Sequence, residues 1–577
     1  MKDYMKIYQE WLSNPYFDEA TKEELRAIEG NENEIKERFY MDLEFGTAGL
    51  RGIIGAGINR MNIYVVRRAT QGLANYIIKQ GAANKGVAIA YDSRHMSPEF
   101  AMEAAMTLAA NGIKAYKFES LRPTPELSFA VRELGCVAGI NITASHNPPE
   151  YNGYKVYWED GAQFTPPHDK GVTEEVLAIE DLSTVKTTDE ASATAAGLYQ
   201  VIGQEIDDKY IAQVKAQVVN QKAIDEMQDQ ITIVYTPLHG TGNIPARRVM
   251  KEIGFTHVYV VPEQELPNGD FPTVSYPNPE AKEAFELGLK LAKEKDADLV
   301  LATDPDADRL GVYVKDTKSG EYIPLTGNMS GSLLCEYVLS QKQAAGKIPA
   351  DGQVIKSIVT TNLVNAVAEH YGCELVEVLT GFKYIGQQIL KEEQTGKGTY
   401  MFGMEESYGC LIGTHARDKD AIVATMALCE AAAYYKTKNM TLWDAMLAMY
   451  ERYGYYKDGV KAVTMKGIEG LEKIQEIMNE LRTNPPKEFC GYKVESFRDY
   501  QADTITDIAS GEVKPTGLPK SNVLYFDMSD KVWMCVRPSG TEPKIKFYFG
   551  VVGESLEDAD KKSEEMAKAV DALVASL

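Results

Sequence analysis

Long apolar runs are missing from this 577-residue chain. No stretch of about 18 consecutive apolar residues occurs, so no membrane-spanning helix is expected. The opening, MKDYMKIYQEWLSNPYFDEA, lacks a basic-then-apolar leader pattern, and a cytoplasmic location is expected. Cysteine is sparse. Cys136, Cys335, Cys373, Cys410, Cys429, Cys490 and Cys535 stand singly and form no C-x-x-C pair, which disfavours a zinc ribbon or a thioredoxin-type centre. Positive charge is also short: 61 Lys and Arg against 84 Asp and Glu give a formal net charge of -23. Nucleic acid is therefore not expected as a partner. An anionic substrate must instead meet a local basic pocket against the mean field.

Familiar nucleotide and acyl-transfer signatures are absent too. No G-x-x-x-x-G-K-[ST] occurs, and GTGNIP has Pro245 where a dinucleotide fingerprint needs its third glycine, so neither a P-loop kinase nor a Rossmann dehydrogenase is supported. Thr143 and Asn147 occupy the glycine places of a G-x-S-x-G elbow around Ser145, which disfavours a serine hydrolase.

What is present is an alternation of buried strands, polar loops and helices. Residues 4–39 read as helical. GVAIAYDSR (86–94) is a buried strand with a polar tip, and the serine of SPEFAMEAAMTLAANG is placed as the N-cap of a helix. QITIVYTPLHGTG, ADLVLATDPDADRLGVYV and CELVEVLTGFKYIG repeat the strand-then-loop pattern. The rhythm predicts α/β domains with ligand loops at the carboxyl ends of strands. SNVLYFDMSDKVWMCVRPSGTEPKIKFYFGV instead reads as three strands before a final helix at about 555–575, an α+β pattern. The expected division is 1–204, 205–325, 326–456 and 457–577: three similar α/β domains, then one α+β domain.

Four loops carry chemistry. In TDPDADR, Asp304, Asp306 and Asp308 alternate along an expected extended loop and converge on one hard cation, for which oxygen-only ligands select Mg²⁺, Ca²⁺ or Mn²⁺. An EF-hand is excluded by Arg309 at its sixth position and Lys315 at its twelfth. Three carboxylates leave octahedral Mg²⁺ incomplete, and a phosphate oxygen is its usual further ligand. Ser145, in ITASHNPPEYNGYKVY (142–157), is the candidate to carry that phosphate, although a stretch like this also fits a capped turn. Lys155 qualifies as an acid or base if its surroundings lower its pKa. RPSGTEPKIKF offers Arg537, Ser539, Gly540 and Thr541 to a monoester phosphate. The acids of GMEESYG suit vicinal sugar hydroxyls, and TGFKYIG and GTHARDKDA add partly basic loops.

TASHNP, DPDADR, GMEESYG and RPSGTEPKIKF, in this order, resemble the α-D-phosphohexomutases. FGTAGLRG and LTGFKYIG resemble its phosphoglucomutase/phosphopentomutase branch in particular. The resemblance runs from about residue 40 to the end. It implies four domains around a central active-site cleft, each giving one loop. It implies a phosphoserine at Ser145, with Mg²⁺ on its phosphate and on Asp304, Asp306 and Asp308. Glu405 and Ser407 fall at sugar-binding positions, and Arg537, Ser539, Gly540 and Thr541 at a phosphate-binding loop. Arg51, His146, Lys155, Arg309, Thr380, Gly381, Lys383 and His415 fall in active-site segments. The activity implied is interconversion of glucose 1-phosphate and glucose 6-phosphate through glucose 1,6-bisphosphate, by a monomer or homodimer. Lys155 would handle the proton at the sugar hydroxyl, and His146 would support Ser145. Pentose or mannose phosphates remain open as substrates. So do a metal-dependent phosphatase and a non-catalytic sugar-phosphate-binding protein.

Overall fold

The computed structural model describes residues 3–44, 49–465, 467–539 and 544–576. The chain forms two compact units. One comprises Met1–Thr326, Phe382–Lys397 and Tyr408–Thr441; the other comprises Gly327–Gly381, Gly398–Ser407 and Leu442–Leu577.

The first unit begins with three helices, Tyr4–Ser13, Glu19–Ala27 and Glu32–Phe39, rather than one helical run. Pro15 disfavours helical geometry at Asn14, and Gly30 takes a left-handed φ of 84°. Asp3, Asp18 and Asn31 cap the three helices by accepting backbone N–H bonds. Tyr8, Trp11, Phe17 and Phe39 pack with Tyr64 as an aromatic seam.

Two sheets follow. The first contains β1 (Leu50–Ile53), β2 (Val87–Tyr91), β3 (Ala115–Phe118), β4 (Ala138–Ile142), β5 (Tyr151–Trp158) and β6 (Tyr199–Ile202). Its order is β1-β5-β4-β2-β3-β6, with β4, β2, β3 and β6 parallel and β5 antiparallel to β4 and to β1. The second contains β7 (Thr232–Thr236), β8 (His257–Val260), β9 (Leu299–Thr303), β10 (Leu310–Lys315) and β11 (Tyr322–Leu325), in the order β11-β10-β9-β7-β8. Here β9, β7 and β8 are parallel, and β10 turns back antiparallel to β9. Every residue of β2, β4 and β9 is buried, as parallel strands covered on both faces must be.

The two sheets share a device. In each, a parallel strand leads through a short loop into an antiparallel neighbour. Ser145 lies in the loop from β4 to β5, and the three aspartates lie in the loop from β9 to β10. A repeated module thus exists in structure without a readable sequence repeat.

In the second unit, strand Gly352–Ser357 lies parallel to Glu374–Val378 and to Thr399–Glu405. Its C-terminal part is an antiparallel sheet larger than the three strands expected. Tyr455–Thr464 and Tyr492–Asp499 join Leu524–Met528, Trp533–Pro538 and Lys544–Gly553. Tyr455–Thr464 escaped the reading because charged and small residues alternate irregularly along it. Helices Gly467–Thr483 and Leu556–Ser576 cover the sheet through Ile474, Ile477, Met478, Met566 and Val570. Among the described residues, no helix is long and apolar enough to cross a membrane.

Candidate active site

The loop after β4 holds Ser145 in a left-handed conformation, with φ of 53°. A non-glycine residue there costs about 1–3 kcal/mol and persists only when its surroundings over-determine it. The Ser145 amide donates to Thr143 Oγ1 at 2.8 Å. Its hydroxyl, almost fully buried, donates to Asp304 Oδ2 at 2.8 Å and lies 3.2 Å from His146 Nδ1. Arg51, exposed on β1, reaches the same loop by donating to Asn147 Oδ1 at 3.4 Å.

The acidic loop is a tight turn, not the extended segment expected. The Ala307 amide donates to Asp304 O at 2.9 Å, and Ala307 has φ of 51°. The amides of Asp308 and Arg309 both donate to Asp304 Oδ1, at 3.2 and 3.1 Å. The aspartates therefore gather because the backbone folds around Asp304, rather than by alternation along a strand. The neighbouring loop 239–242 allows this fold: a Cβ on Gly240 would lie 2.5 Å from Pro305 Cα, so only glycine permits the approach.

The three aspartates are buried, and one carboxylate oxygen from each lies within 4.8 Å of the others. Oδ1 of Asp306 and Oδ1 of Asp308 are buried and accept no hydrogen bond among the described residues. Buried acceptors of this kind are costly unless something positive meets them. A hard divalent cation suits this all-oxygen donor set, and the carboxylate cluster can hold one.

Two lysines already partly neutralise the group. Lys155, on β5 and buried, donates to Asp306 Oδ2 at 2.7 Å and lies 3.7 Å from Asp308 Oδ2. Lys419 Nζ lies 3.2 Å from Asp308 Oδ2 and 3.1 Å from Asp418 Oδ1. Thr124 supports Asp306 through its hydroxyl at 2.7 Å. Burial by itself would lower the Lys155 pKa, but Asp306 and Asp308 outweigh it and raise the ammonium above its ordinary value. The condition set for an acid or base role, a lowered pKa, is thus not what these surroundings produce. Burial, followed by the charges of Asp306 and Asp308, pushes Asp304 well above the usual carboxylate range. For Asp306, Lys155 overcomes burial and holds the carboxyl below that range. Burial and the guanidinium groups of Arg309 and Arg51 hold the His146 imidazole well below its usual range, so it is neutral at pH 7. Arg309 itself donates to Glu280 at 2.8 Å.

Other candidates stand elsewhere. His415 Nε2 lies 2.8 Å from Asp420 Oδ2, and its side chain is turned into the core. Asp420 also accepts from the Ile422 and Val423 amides that open helix Ala421–Lys436. Lys383 lines a polar cavity of about 640 Å³ with Arg132, Asp160, His168 and Glu393, on which Ser145 and the aspartates do not border.

In the second unit, Glu405 ends its strand and accepts from the Gly381 amide at 2.7 Å. Thr380 Oγ1 is buried with no hydrogen-bond partner among the described residues, and Ser407 is half-buried. Arg537, half-buried, pairs across the sheet with Lys546, and the Ser539 amide donates to Lys544 O at 2.7 Å. Gly540 and Thr541 lie outside the described residues, as do residues 45–48 of FGTAGLRG.

Sequence reasoning assigned no role to Lys419, Thr124, Asp92 or Arg94. Asp92 and Arg94 form the polar tip after β2, and Lys419 falls in the basic loop 413–421. A charged residue at the carboxyl end of a buried strand was the available signal.

The fold and the two strand-to-strand loops define a class: this chain belongs to the phosphoglucomutase/phosphomannomutase family. The family's α/β/α domains I, II and III match residues 42–183, 208–320 and 326–453. Relatives named phosphoglucomutase match along nearly the whole chain. That of Staphylococcus epidermidis (strain ATCC 35984) is 36% identical over 570 residues, 96% of this chain and 99% of the relative. That of Staphylococcus saprophyticus is 35% identical over 561 residues, 97% and 98% of the two chains. Among solved structures, the open form of parafusin (a phosphoglucomutase) from Paramecium matches with a TM-score of 0.69 at 19% identity, over 93% of this chain and 95% of that one. The crystal structure of a phosphoglucomutase/phosphomannomutase family protein from Burkholderia thailandensis matches with a TM-score of 0.64 at 19% identity, over 92% of this chain and 97% of that one. These likenesses show the same fold.

Proposed function

We propose that this chain interconverts α-D-glucose 1-phosphate and glucose 6-phosphate, with Ser145 carrying the phosphoryl group and glucose 1,6-bisphosphate as the intermediate. One observation carries the reading: the Ser145 hydroxyl is buried 2.8 Å from Asp304, within a group of three carboxylates. The long, high-coverage identity to proteins named phosphoglucomutase supports it.

Asp304, Asp306 and Asp308, with an oxygen of the phosphoserine, are the residues that would hold Mg²⁺. A cation there supplies charge neutralisation for phosphoryl transfer. The P–Oγ bond of phosphoserine breaks as a bond forms to the free hydroxyl of the sugar monophosphate, giving the bisphosphate. The second half-reaction returns the other phosphoryl group to Ser145. The proton that the sugar hydroxyl loses is the one that the Ser145 oxygen gains as its P–Oγ bond breaks, and it returns in the second half-reaction; His146, 3.2 Å from Ser145 Oγ, is placed to relay it in both directions. Lys155 stays protonated and acts as a fixed cation and hydrogen-bond donor beside Asp306, rather than as a base. Arg51 and Arg309 add positive charge for the transferring group. Glu405, Ser407, Thr380 and Gly381 are assigned to the sugar, and Arg537, Ser539, Gly540 and Thr541 to the non-reacting phosphate; Lys383, in a separate cavity, and His415, turned onto Asp420, are left outside the proposed site. We further propose four domains bounded near residues 204, 325 and 456.

The test is a panel of glucose, mannose, glucosamine, ribose and deoxyribose 1-phosphates, compared by kcat/KM with Mg²⁺ and a trace of the cognate bisphosphate. Glucose 1-phosphate is expected to lead. A higher kcat/KM for a pentose or mannose phosphate would reassign the substrate. Steady release of inorganic phosphate in place of isomerisation would replace the mutase with a phosphatase.

A further inference from the structure

Arg94 has a side chain with no exposed surface, yet it touches neither an aspartate of the triad nor the Ser145 hydroxyl. Its guanidinium donates to four backbone carbonyls of one loop. Nη2 meets Ser145 O at 2.6 Å and Asn147 O at 2.5 Å, and Nη1 meets Pro148 O at 2.8 Å and Tyr151 O at 3.0 Å. The planar fork of arginine supplies the right number of donors in the right plane; a lysine ammonium has three, at one point. Phe271 covers one face of the guanidinium, 5.1 Å from ring centre to Cζ.

Asp92 anchors this fork and the other end of the loop together. Its Oδ2 lies 3.3 Å from Arg94 Nε and accepts from Thr143 Oγ1 at 2.6 Å. Thr143 Oγ1 in turn accepts the Ser145 amide at 2.8 Å. Asp92 Oδ1 accepts from the Arg94 amide and from the Ser97 hydroxyl, at 3.0 and 2.8 Å. That bond explains why Ser97 is not the helix cap expected of it: Met96 stands at the cap and Ser97 lies within the first turn. Ser145 is thus gripped at its amide through Asp92 and Thr143, and at its carbonyl by Arg94. These bonds over-determine its left-handed backbone.

We propose that the Asp92–Arg94 pair is the positioning device that holds Ser145 with its oxygen facing the aspartate triad through both transfer steps. The inference rests on Ser145 being the phosphoryl carrier. By drawing the loop's carbonyls inward, Arg94 leaves the serine side chain as the group presented to the cation site. Catalysis of phosphoryl transfer is mostly positioning, and a displacement of about 1 Å can cost about 100-fold.

The test compares the full-length wild type with Arg94→Lys and Asp92→Asn. Each is loaded with labelled phosphate from glucose 1,6-bisphosphate, and label at Ser145 is counted by peptide mapping. One turnover with glucose 1-phosphate then measures two things per labelled serine: the rate of transfer to sugar, and the fraction lost as inorganic phosphate. Both are independent of how much protein is folded. Arg94→Lys is expected to slow transfer about 100-fold and to raise the inorganic phosphate fraction at least tenfold, with a smaller shift of the same sign in Asp92→Asn. Wild-type rate and partition in both variants would overturn the inference while leaving the phosphoserine reading intact. A wild type that takes no label at Ser145 would overturn both.

Discussion

Removing the charge of Lys155 is the perturbation whose size follows most directly from the structure. Lys155→Met keeps the length of the side chain but deletes the 2.7 Å bond to Asp306 and the 3.7 Å approach to Asp308. Both partners of the first pair are buried, at 5% and 0% side-chain exposure, so solvent cannot take the place of the ammonium. Asp306 keeps the Thr124 hydroxyl on Oδ2 and accepts no hydrogen bond on Oδ1 among the described residues. Breaking a buried ion pair from one side costs about 3–5 kcal/mol. At about 1.4 kcal/mol per tenfold, local opening becomes about 100- to 5,000-fold more frequent. Amide hydrogen exchange at Ala307, Asp308 and Arg309, whose N–H groups all bond to Asp304, reads that opening directly. In EDTA these amides are expected to lose protection by this factor, and saturating Mg²⁺ is expected to narrow the gap to the wild type. Protection within threefold of the wild type in EDTA would show that Lys155 does not balance the triad.

Two further predictions address charge and metal. Burial pushes the Asp458 carboxyl up to about 6, against opposing contributions from Thr361 and Lys356. Its folded pKa thus exceeds its unfolded one, so the native state binds the extra proton. The resulting stability is full below about pH 4 and is lost as pH rises through about 6. Asp458→Asn should therefore stabilise the second unit at pH 8 by up to about 3 kcal/mol, little at pH 4, as read by denaturant midpoints at the two pH values; a larger gain at pH 4 would reverse the assignment. Chelation with EDTA should abolish isomerisation, and Mg²⁺ or Mn²⁺ should restore it better than Zn²⁺, because the donor set is all oxygen. Full activity in EDTA would remove the aspartates from the catalytic account.

The α/β rhythm was legible because buried parallel strands such as Val87–Tyr91 and Leu299–Thr303 are short apolar runs that end in polar loops. Asp304, Asp306 and Asp308 were legible from spacing, although the turn centred on Ala307 that gathers them was not. An alanine at φ of 51° carries no composition signal; it is imposed by amides bonding back to Asp304. Lys155 taken alone reads more readily as a surface lysine than as a catalytic one, because the partner that meets it in the interior, Asp306, is 151 residues away in sequence. Arg94 was hidden for a related reason. Its partners are backbone carbonyls, which every residue has, so no side-chain pattern announces them. The capping expectation for Ser97 failed because Asp92 competes for its hydroxyl.

The most direct test of the account is the fate of one phosphoryl group. Protein incubated with glucose 1,6-bisphosphate labelled at one phosphate, then chased with unlabelled glucose 1-phosphate, should carry the label transiently on the peptide containing Ser145 and deliver it to sugar. Ser145→Ala should take no label and lose isomerisation. Wild-type turnover in Ser145→Ala, or label that never visits Ser145, would contradict the account.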